Sequence, residues 1–593
     1  MARCSTRTVL SVSSLGLGIE RLLRAGLACA GLLALAGCAA PASPTPTTAP
    51  ASSRPTATPP PTATTAATPT AADAEGGSEG LPLPSGGNDL FSASGACSMC
   101  HTRSVDESGN DVSIDSAWRA SIKAQAARDP YFQASVRAEA EEFPEQRAMI
   151  ESSCATCHAP MADYTAGVDG QAGLLLDEGF LDADHPLHDL AVDGVSCTLC
   201  HQIRSTNLGS SSASGHYLID TEIPQGEREA FGPFTVDEAQ ARLMQAASGF
   251  VPVQATHVTQ SELCATCHTL YTPILDSSGN TQGEFPEQVP YLEWYYSNYR
   301  NAQTCQACHM PAAKGGVKTA TSSTNLRSPF ARHTFYGGNA YMLGMLTTFA
   351  DELELTASAA QLGAAQAGTL QHLQDETASI AVENVIDGGS SLSADVRIEN
   401  LAGHKLPTAF PSRRAWIHFT VTDAAGAIVF ESGAIGPDGA ISGNDNDADA
   451  SQYEIHYQTI NRADQVQIYE AILQAVDGSV TTSVLSAASY LKDNRLLPSG
   501  FEKAAPYPDI MVRGGAMEDE DFLGGGDVVT YLVPLSGSGP YTITADLLFQ
   551  TVGFRWAQNL RRAEGTEIDR FLAYYEGVPN TPVVIASASQ ETP

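Results

Sequence analysis

CATCH at residues 154–158 belongs to a set of five Cys-x-x-Cys-His motifs, the others being CSMCH (97–101), CTLCH (197–201), a second CATCH (264–268) and CQACH (305–309). The motifs contain ten of the 13 cysteines of the chain. This spacing is typical of c-type haem attachment, in which the two thiols bond covalently to a porphyrin and the histidine binds its iron. The sequence therefore predicts five covalently bound haems c.

Other uses of Cys-x-x-Cys pairs explain the motifs less well. Such a pair can be half of a zinc site, a thioredoxin-like redox couple or, in an exported chain, part of a disulfide framework. None of these requires a histidine directly after the second cysteine, and all five motifs have one. The predicted haem-binding cysteines are Cys97, Cys100, Cys154, Cys157, Cys197, Cys200, Cys264, Cys267, Cys305 and Cys308. The predicted proximal iron ligands are His101, His158, His201, His268 and His309.

Residues 1–37 have the pattern of an export signal. Arginines provide a positive charge, and the apolar run at 25–36 is too short to cross a bilayer as a helix. The segment leads into Leu-Ala-Gly-Cys at 35–38, which resembles the lipobox of bacterial lipoproteins. We therefore expect lipidation of Cys38 and an anchor at the extracytoplasmic membrane face or cell surface, periplasmic or extracellular. A plain secretory leader is the alternative.

Residues 38–87 are predicted to form a disordered tether. The stretch begins AAPASPTPTTAP at residue 39 and consists mainly of Pro, Thr, Ser and Ala. Because it has almost no large apolar side chain to bury, it cannot form a core. Its expected role is that of a spacer between the anchor and the folded part.

The chain is strongly acidic, with 32 Lys and Arg against 67 Asp and Glu and a formal net charge of −35. Nucleic-acid binding requires a basic surface, so that class of function is excluded. An acidic surface would steer the protein toward basic partners, and other redox proteins are the expected class. The charge also has a simpler explanation, because acidic surfaces keep exported proteins soluble.

Composition and periodicity predict an α+β multidomain fold. A mainly helical and loop-rich multihaem cytochrome c domain is expected at 88–350, a connecting helix at 351–377 and a β-sandwich-like domain at 378–593. In the last of these, apolar and polar residues alternate along several β-branched runs separated by Gly, Asn and Asp.

Individual elements follow from the same patterns. Apolar residues at the helical period predict short helices at 116–127 and 236–248, and 354–374 is predicted to be a connecting helix. The stretch at 291–300 is rich in aromatic residues and directly precedes the fifth motif. The segment at 469–475 is compatible with either a strand or a short helix.

The sixth coordination position of each iron decides what the haem does. A second histidine closes it for electron transfer, methionine raises the potential, and an open position admits a small substrate. Nine histidines lie outside the motifs, enough to close every iron. The predicted distal ligands are His185 or His188, His257, His333, His404 and His456.

The other three histidines are weaker candidates. His216 lies in a Gly/Ser loop and is left open, His372 is expected to be solvated, and His418 is expected on a sheet face. His404 lies in a Gly- and Pro-flanked loop between two predicted strands, so the β region is predicted to contribute one ligand itself.

Eight stretches between residues 97 and 530 carry a resemblance to a known family. They are CATCHAPMA (154–162), DGVSCTLCHQI (193–203), SELCATCHTLYT (261–272), EQVPYLEW (287–294), CQACHMP (305–311), HTFYGGNAYML (333–343), GHKLPTAFPSRRAW (403–416) and YLKDNRLLPSGF (490–501). They resemble the multihaem cytochrome c superfamily, which includes the tetrahaem electron carriers of nitrifying bacteria, and more narrowly exported cytochromes with a C-terminal β domain. The resemblance implies closely paired bis-histidine haems and electron transport, and it supports His257, His333 and His404 as distal ligands.

Three classes of function are compatible with these features. The first is a membrane-tethered electron carrier between a membrane redox enzyme and an extracytoplasmic acceptor. The second is a haem enzyme that reduces or oxidises a small nitrogen or sulfur compound at an open iron. Nitrite reductases that resemble this superfamily often carry Cys-x-x-Cys-Lys at the active haem, and this chain has no such motif. The third is a binding module, in which the β domain recognises a partner or stacks subunits into filaments.

One acidic loop has partial calcium-site spacing. NDNDADAS at 444–451 places Asp445, Asp447 and Asp449 at alternate positions, but Ala450 and His456 stand where an EF-hand has glycine and glutamate. A solvated acidic loop is the favoured interpretation, and calcium binding is the alternative.

Overall fold

The structure, a computed structural model, describes residues 80–504 and 507–592. The predicted export signal, the lipidation site Cys38 and the tether as far as residue 79 lie outside the described residues. Within the described part of the chain, no helix combines the length and the apolar character needed to cross a bilayer.

Most of the described α-helices are short. In chain order they are α1 Gly95–Ser98, α2 Ile114–Arg119, α3 Pro130–Glu142, α4 Arg147–His158, α5 Pro160–Val168, α6 His188–Val192, α7 Cys197–Cys200, α8 Glu238–Ser248, α9 Ser261–Ala265, α10 Pro290–Tyr295, α11 Cys305–His309, α12 Ala340–Thr348, α13 Ala359–Glu376, α14 Asp445–Ala448, α15 Phe554–Leu560 and α16 Thr566–Gly577.

The strands are concentrated after residue 378. In chain order they are β1 Arg228–Gly232, β2 Phe250–Gln254, β3 Leu270–Leu275, β4 Thr281–Gln288, β5 Val317–Lys318, β6 Leu326–Arg327, β7 Ala378–Asp387, β8 Ser391–Asn400, β9 Arg414–Thr422, β10 Ile428–Ser432, β11 Thr459–Ile460, β12 Ile468–Tyr469, β13 Ala471–Ala475, β14 Val480–Thr481, β15 Ala487–Asp493, β16 Gly526–Pro534, β17 Thr542–Gln550 and β18 Val583–Glu591.

The motif region, residues 80–350, consists of helices and two-stranded ribbons joined by loops. β1 pairs with β2, β3 with β4, and β5 with β6. α3 begins at Pro130 because the Asp129 carboxylate accepts hydrogen bonds from the amides of Tyr131 and Phe132, and because proline suits the first turn of a helix. This cap fixes the start of α3; among the motif-bearing helices, α11 has a similar cap, in which the Thr304 side chain accepts from the Ala307 amide.

Two sheets pack face to face in the β region, residues 378–592. One has the order β10-β9-β17-β18 with β12 joined to β9, and the other has the order β11-β16-β8-β7. Residues along β8 alternate between buried and more exposed. Phe419 of β9 stacks on Tyr531 of β16 with their ring centres 3.8 Å apart. The inner faces of the two sheets therefore share one apolar core.

The β region also contacts the motif region directly. α16 packs against α3, and Arg137 of α3 pairs with Glu567 of α16 at 2.8 Å. Glu139 of α3 accepts hydrogen bonds from the Ser483 hydroxyl and the Val484 amide, just before β15. The two regions are thus joined through buried polar contacts as well as by the chain.

The chain is a mixed α+β protein, as its sequence predicts. The helices predicted at 236–248 and 354–374 are present as α8 and α13, and the segment at 469–475 is extended in β12 and β13. The helices α15 and α16 were not predicted, although Ile568, Phe571 and Leu572 of α16 recur at the helical period.

The helix predicted at 116–127 is shorter than expected, since α2 ends at Arg119. Two backbone carbonyls beyond it serve other partners: that of Lys123 accepts from the Val195 amide, and that of Ala126 accepts from the His158 ring. Tertiary contacts therefore replace the helical hydrogen bonds that the local pattern predicted.

Candidate functional site

The five motifs line one cavity with a volume of about 2550 Å³. All five motif histidines and nine of the ten motif cysteines form part of its wall, the exception being Cys100. A pocket for one small molecule usually has a volume of about 300–1,000 Å³. Motifs that are far apart in the sequence therefore surround a common space large enough for several prosthetic groups.

The spacing of each motif puts its side chains on one side of a helical turn. Residues three and four apart share a helix face, so both cysteines and the histidine point the same way. α4 ends at His158, α7 comprises the Cys-x-x-Cys of the third motif, and α11 comprises the whole fifth motif. In the first, third and fourth motifs, the histidine amide donates to the carbonyl of the first cysteine, as in an α-helix.

Four of the motif histidines have the hydrogen-bonding pattern of a metal ligand. Nδ1 of each lies 2.5–2.9 Å from a backbone carbonyl oxygen, and the pairs are His101 with Thr319, His158 with Ala126, His201 with Phe231 and His309 with Tyr336. Because a carbonyl oxygen can only accept, Nδ1 is the donor and Nε2 keeps its lone pair. Metal-bound histidines commonly have this arrangement.

His268, in the fourth motif, differs from the other four. Its Nε2 atom lies 2.7 Å from Nζ of Lys123, which is also part of the cavity wall. The lone pair of His268 is therefore directed at an amine. Sequence reasoning missed Lys123 because nothing in a predicted amphipathic helix marks one lysine as facing a motif 145 residues away.

Burial favours the neutral form of three motif imidazoles. It lowers the pKa of His158 and that of His309 to about 4, and it also lowers the pKa of His201. The positive charge of Lys123, together with burial, lowers the pKa of His268. Histidine binds metals in its neutral form, so these rings are competent ligands near neutral pH.

Burial has the opposite effect on the thiols of Cys154 and Cys200. It raises the pKa of Cys200 to about 11 and also raises that of Cys154. A neighbouring thiol instead lowers the pKa of Cys97, Cys267 and Cys305. Reactive cysteines of redox pairs have a lowered pKa, so Cys154 and Cys200 differ from the thioredoxin-like alternative.

Contacts between thiols identify which motifs are neighbours. Three pairs of motif thiols lie close enough to shift each other's pKa, namely Cys97 with Cys197, Cys157 with Cys267, and Cys264 with Cys305. They join the first motif to the third, the second to the fourth, and the fourth to the fifth. Cys200 is also close enough to Cys267 for an electrostatic interaction, which links the third motif to the fourth. The order of the motifs in space thus differs from their order in the sequence.

Two predicted distal histidines face motif histidines across the cavity. The rings of His333 and His201 are 6.4 Å apart between centres and inclined by 22°. The rings of His404 and His309 are 6.1 Å apart and inclined by 10°. Nδ1 of His404 donates to its neighbour's carbonyl, that of Lys405, at 2.9 Å, which leaves Nε2 free.

Four other predicted ligands do not line this cavity, namely His185, His188, His257 and His456. Nε2 of His257 donates to the Ile203 carbonyl. In the β region, Nε2 of His456 bonds to Asp519, and its Nδ1 accepts from Gln467. Their roles as iron ligands stay predictions.

The three weaker candidates from the sequence, His216, His372 and His418, lie in different places. His216 and His372 do line the cavity, and the ring of His372 lies 5.8 Å from that of His309. His418 lies on β9 with Glu431 as its hydrogen-bond partner, the sheet-face position expected from its sequence context.

The acidic loop at 444–451 forms the short helix α14. Both carboxylate oxygens of Asp447 accept from Arg414, and Asp449 accepts from Ser451 within its own loop. Among the described residues, Asp445, Asp447 and Asp449 do not converge as a three-ligand group. Calcium binding here stays a prediction.

The donor set fits covalent haem. Each motif offers two thiols and an imidazole from one helical turn, four of the imidazoles have a free Nε2, and the space between them is continuous. The chain supplies both the attachment points and the room for the groups.

Comparison with known proteins adds little to this geometry. No protein-family model matches the chain, and no curated protein matches it. Among solved structures, a penta-haem cytochrome c552 from Thermochromatium tepidum is similar, with 16% sequence identity and a TM-score of 0.44. The match covers 81% of this chain and 96% of that one. A likeness of this size does not by itself establish a shared fold or function.

Proposed function

We propose that this chain is a membrane-tethered multihaem c-type cytochrome that carries electrons between a membrane redox enzyme and an extracytoplasmic acceptor. One observation carries the proposal: five Cys-x-x-Cys-His motifs turn their histidines toward one cavity of about 2550 Å³. Haem, when bound, supplies one-electron redox chemistry. The protein holds the five groups, excludes water from them and selects the axial ligands.

His333 and His404 are proposed as the distal ligands of the irons held by His201 and His309. A metal–imidazole nitrogen bond is about 2 Å long, so two imidazoles on opposite sides of one metal have ring centres about 6 Å apart. The observed separations of 6.4 and 6.1 Å support this pairing. His404 lies between β8 and β9, so the β region would belong to the redox unit.

The thiol contacts support an order of electron transfer through the motifs: first, third, fourth and fifth, with the second beside the fourth. The solvent exposure of the residues between the two cysteines of each motif agrees with this order. Met99 in the first motif is 64% exposed and Ala307 in the fifth is also exposed, whereas both middle residues of the third and fourth motifs are buried. We infer that partners exchange electrons at the first and fifth motifs.

The cellular setting of this proposal rests on the sequence. Lipidation of Cys38 and the spacer that follows would hold the redox unit at an extracytoplasmic membrane face or the cell surface. The acidic surface suits a basic redox partner. Stacking of subunits into filaments is a further proposal, which microscopy of the purified protein would test.

The first test is a haem count combined with redox-titrated electron paramagnetic resonance of the exported, purified protein. We expect five haems per chain by pyridine haemochrome, with low-spin signals for the bis-histidine centres. Fewer than five haems would contradict the proposed cofactor content.

The second test separates the distal ligands from other histidines. His333→Ala and His404→Ala should each convert one haem in five to a high-spin form that binds cyanide. His418→Ala is the matched control, because His418 lies on β9 outside the cavity and should leave all five centres unchanged. Unchanged spectra in both cavity variants would contradict the pairing.

A haem enzyme acting on a small nitrogen or sulfur compound is the second candidate. The observation that favours it is His268, whose Nε2 faces Lys123 rather than an imidazole; this candidate requires that Lys123 acts as an acid or base beside an open iron and does not bind it. A shift in the spectrum of the wild-type protein on adding nitrite would support the enzyme, and an unchanged spectrum would support the carrier.

A further inference from the structure

The environment of His268 points to a ligand that the motif pattern does not reveal. We propose that Lys123 is the sixth ligand of the iron held by His268, so that one of the five centres has histidine–lysine coordination. The inference rests on the proposed function, because it requires a haem at the fourth motif. It is carried by the 2.7 Å distance between Lys123 Nζ and His268 Nε2, the nitrogen with which a proximal histidine binds iron.

The electrostatic setting of Lys123 is unusual for a lysine inside this protein. Lys405 and Lys492 are buried in the β region, and each pairs with a carboxylate, Asp493 at 2.6 Å and Glu470 at 3.0 Å. Lys123 instead contacts a neutral imidazole, and no carboxylate in the described part of the chain lies within ion-pair distance of its amine. A lysine directed at a metal-binding nitrogen, in a chain so rich in acidic residues, has the position of a ligand rather than of an ion-pair partner.

The backbone around Lys123 is held in place by the segment that precedes the third motif. The Lys123 carbonyl accepts from the Val195 amide at 3.0 Å, and the Trp118 indole donates to the Val195 carbonyl at 2.9 Å. Gly194 has a φ of +63°, and a Cβ there would lie 2.7 Å from the Lys123 carbonyl oxygen, so the close approach of the two segments requires glycine. The same contacts that end α2 early therefore aim Lys123 into the cavity.

At 2.7 Å the two nitrogens are too close to hold an iron between them, so the lysine side chain must withdraw to bind one. Ligand nitrogens on opposite sides of one metal are about 4 Å apart. Lysine has a flexible four-carbon stem and three rotatable donors on its ammonium. Movement of the side chain along that stem can provide the difference of about 1 Å without any change in the backbone contacts. The amine binds a metal only after it has lost a proton, because the lone pair is then available.

The identity of this ligand matters for electron transfer because of where the fourth motif lies. Axial ligands set the potential of a haem over a range of about 0.8 V. The fourth motif is the one whose thiols contact both the second and the fifth motifs, and it also neighbours the third. The fourth motif thus adjoins three other motifs. A histidine–lysine haem there would have a reduction potential different from those of its bis-histidine neighbours.

Lys123→Arg is the sharpest variant for the test. Arginine keeps the positive charge and similar length, but it cannot be deprotonated in a protein and so cannot bind the metal. Lys314→Ala is the matched control, since Lys314 is exposed and lies outside the cavity wall. The readouts are near-infrared magnetic circular dichroism and electron paramagnetic resonance of the oxidised proteins, with the haem count measured on the same samples.

We expect the wild type to contain one low-spin centre in five whose signals differ from those of bis-histidine haem. Lys123→Arg should lose that signal and gain one high-spin, cyanide-binding haem, while Lys314→Ala should match the wild type. Five haems with only bis-histidine signals in the wild type, or an unchanged spectrum in Lys123→Arg, would overturn the role of Lys123 alone. A wild-type protein without haem at Cys264 and Cys267, shown by mass spectrometry, would overturn the proposed function and this inference together.

Discussion

The motif region and the β region form their interiors in different ways. In the β region, Phe419 and Tyr531 are fully buried between the two sheets, and Trp416 is fully buried in a second cluster on the other face of β9. In the motif region, the short helices surround a cavity of about 2550 Å³. Protein interiors are normally close-packed, and unfilled volume destabilises a fold. On the proposed function, bound haems would fill this cavity, whereas the core between the two sheets of the β region consists of side chains alone.

The two regions also differ in how they treat buried polar groups. Motif histidines are held neutral by burial, in the state in which they bind a metal. The β region instead contains buried charges in a network: Asp493 pairs with Lys405 at 2.6 Å and with Arg495 at 2.8 Å, and Arg495 pairs with Glu293 at 3.0 Å. Glu293 belongs to α10 in the motif region, so this network fastens the loop that carries His404.

The largest expected effect is that of withholding haem. In a chain produced without haem attachment, residues 88–350 should lose most of their amide protection, because the cavity would be left unfilled. Strands β8, β9, β16 and β17 should keep theirs, since their core consists of side chains. Hydrogen exchange followed by mass spectrometry, with the haem-loaded protein as control, measures both regions at once. Equal protection of residues 88–350 in both forms would show that the two interiors do not differ in this way.

Asp493→Asn is expected to have the next largest effect. It would leave Lys405 and Arg495 buried without their shared carboxylate, which typically destabilises a fold by about 3–5 kcal/mol. Urea denaturation of the haem-loaded protein measures the change. Asp464→Asn is the control, because the Asp464–Arg462 pair is exposed to solvent and should contribute nothing measurable. Similar stability of the two variants would remove the network as a stabilising feature of the β region.

Much of the difference between the motif region and the β region could be predicted from the sequence. The haem motifs and the strand patterns are both contained in short stretches of chain. The haem motifs span five residues each, and strands such as β8 and β16 follow directly from alternation of apolar and polar residues. His404 was identifiable because glycine and proline mark a loop between two strands.

The remaining features depend on contacts between distant residues. Lys123 and His268 are 145 residues apart, and Lys405 and Asp493 are 88 apart. No periodicity connects such pairs, and the predicted helix at 116–127 concealed the turn that aims Lys123. His456 also depends on distant residues: its hydrogen-bond partners are Asp519 and Gln467 within the β region, and its predicted role as an iron ligand stays a prediction.

Acid should weaken the β region through Asp493. Burial alone would raise the pKa of this carboxyl, but Arg495 and Lys405 outweigh burial and hold the pKa well below its usual range. The folded state therefore binds the proton less readily than the unfolded state, whose pKa is about 3.9. The contribution of Asp493 is present above about pH 4 and is lost as the pH falls further. The difference in unfolding free energy between wild type and Asp493→Asn should shrink below that pH, and a constant difference would contradict this origin.

The smallest expected effect is that of Asp527, a buried carboxyl of the β region that lacks the lysine and arginine partners of Asp493. Burial raises the pKa of Asp527 to about 6, although His456 opposes the shift. Here the folded state binds the proton more readily than the unfolded state, so the contribution of Asp527 is greatest below about pH 4 and is lost as the pH rises through 6. Asp527→Asn should remove that decline while keeping an acceptor for the Tyr469 hydroxyl, which donates to Asp527 at 2.7 Å.

Thermal unfolding of Asp527→Asn at pH 4 and pH 7 measures this effect, with Glu502→Gln, an exposed position, as the control. A change of 1 kcal/mol corresponds to about 2–4 °C in a domain of this size. Relative to wild type, Asp527→Asn should gain stability between the two pH values, whereas Glu502→Gln should not. Asp493 and Asp527 are both buried in the β region, so opposite pH responses in their variants would show that paired cations, rather than burial, decide whether a charge stabilises this fold. The same response in both variants would mean that burial alone controls them.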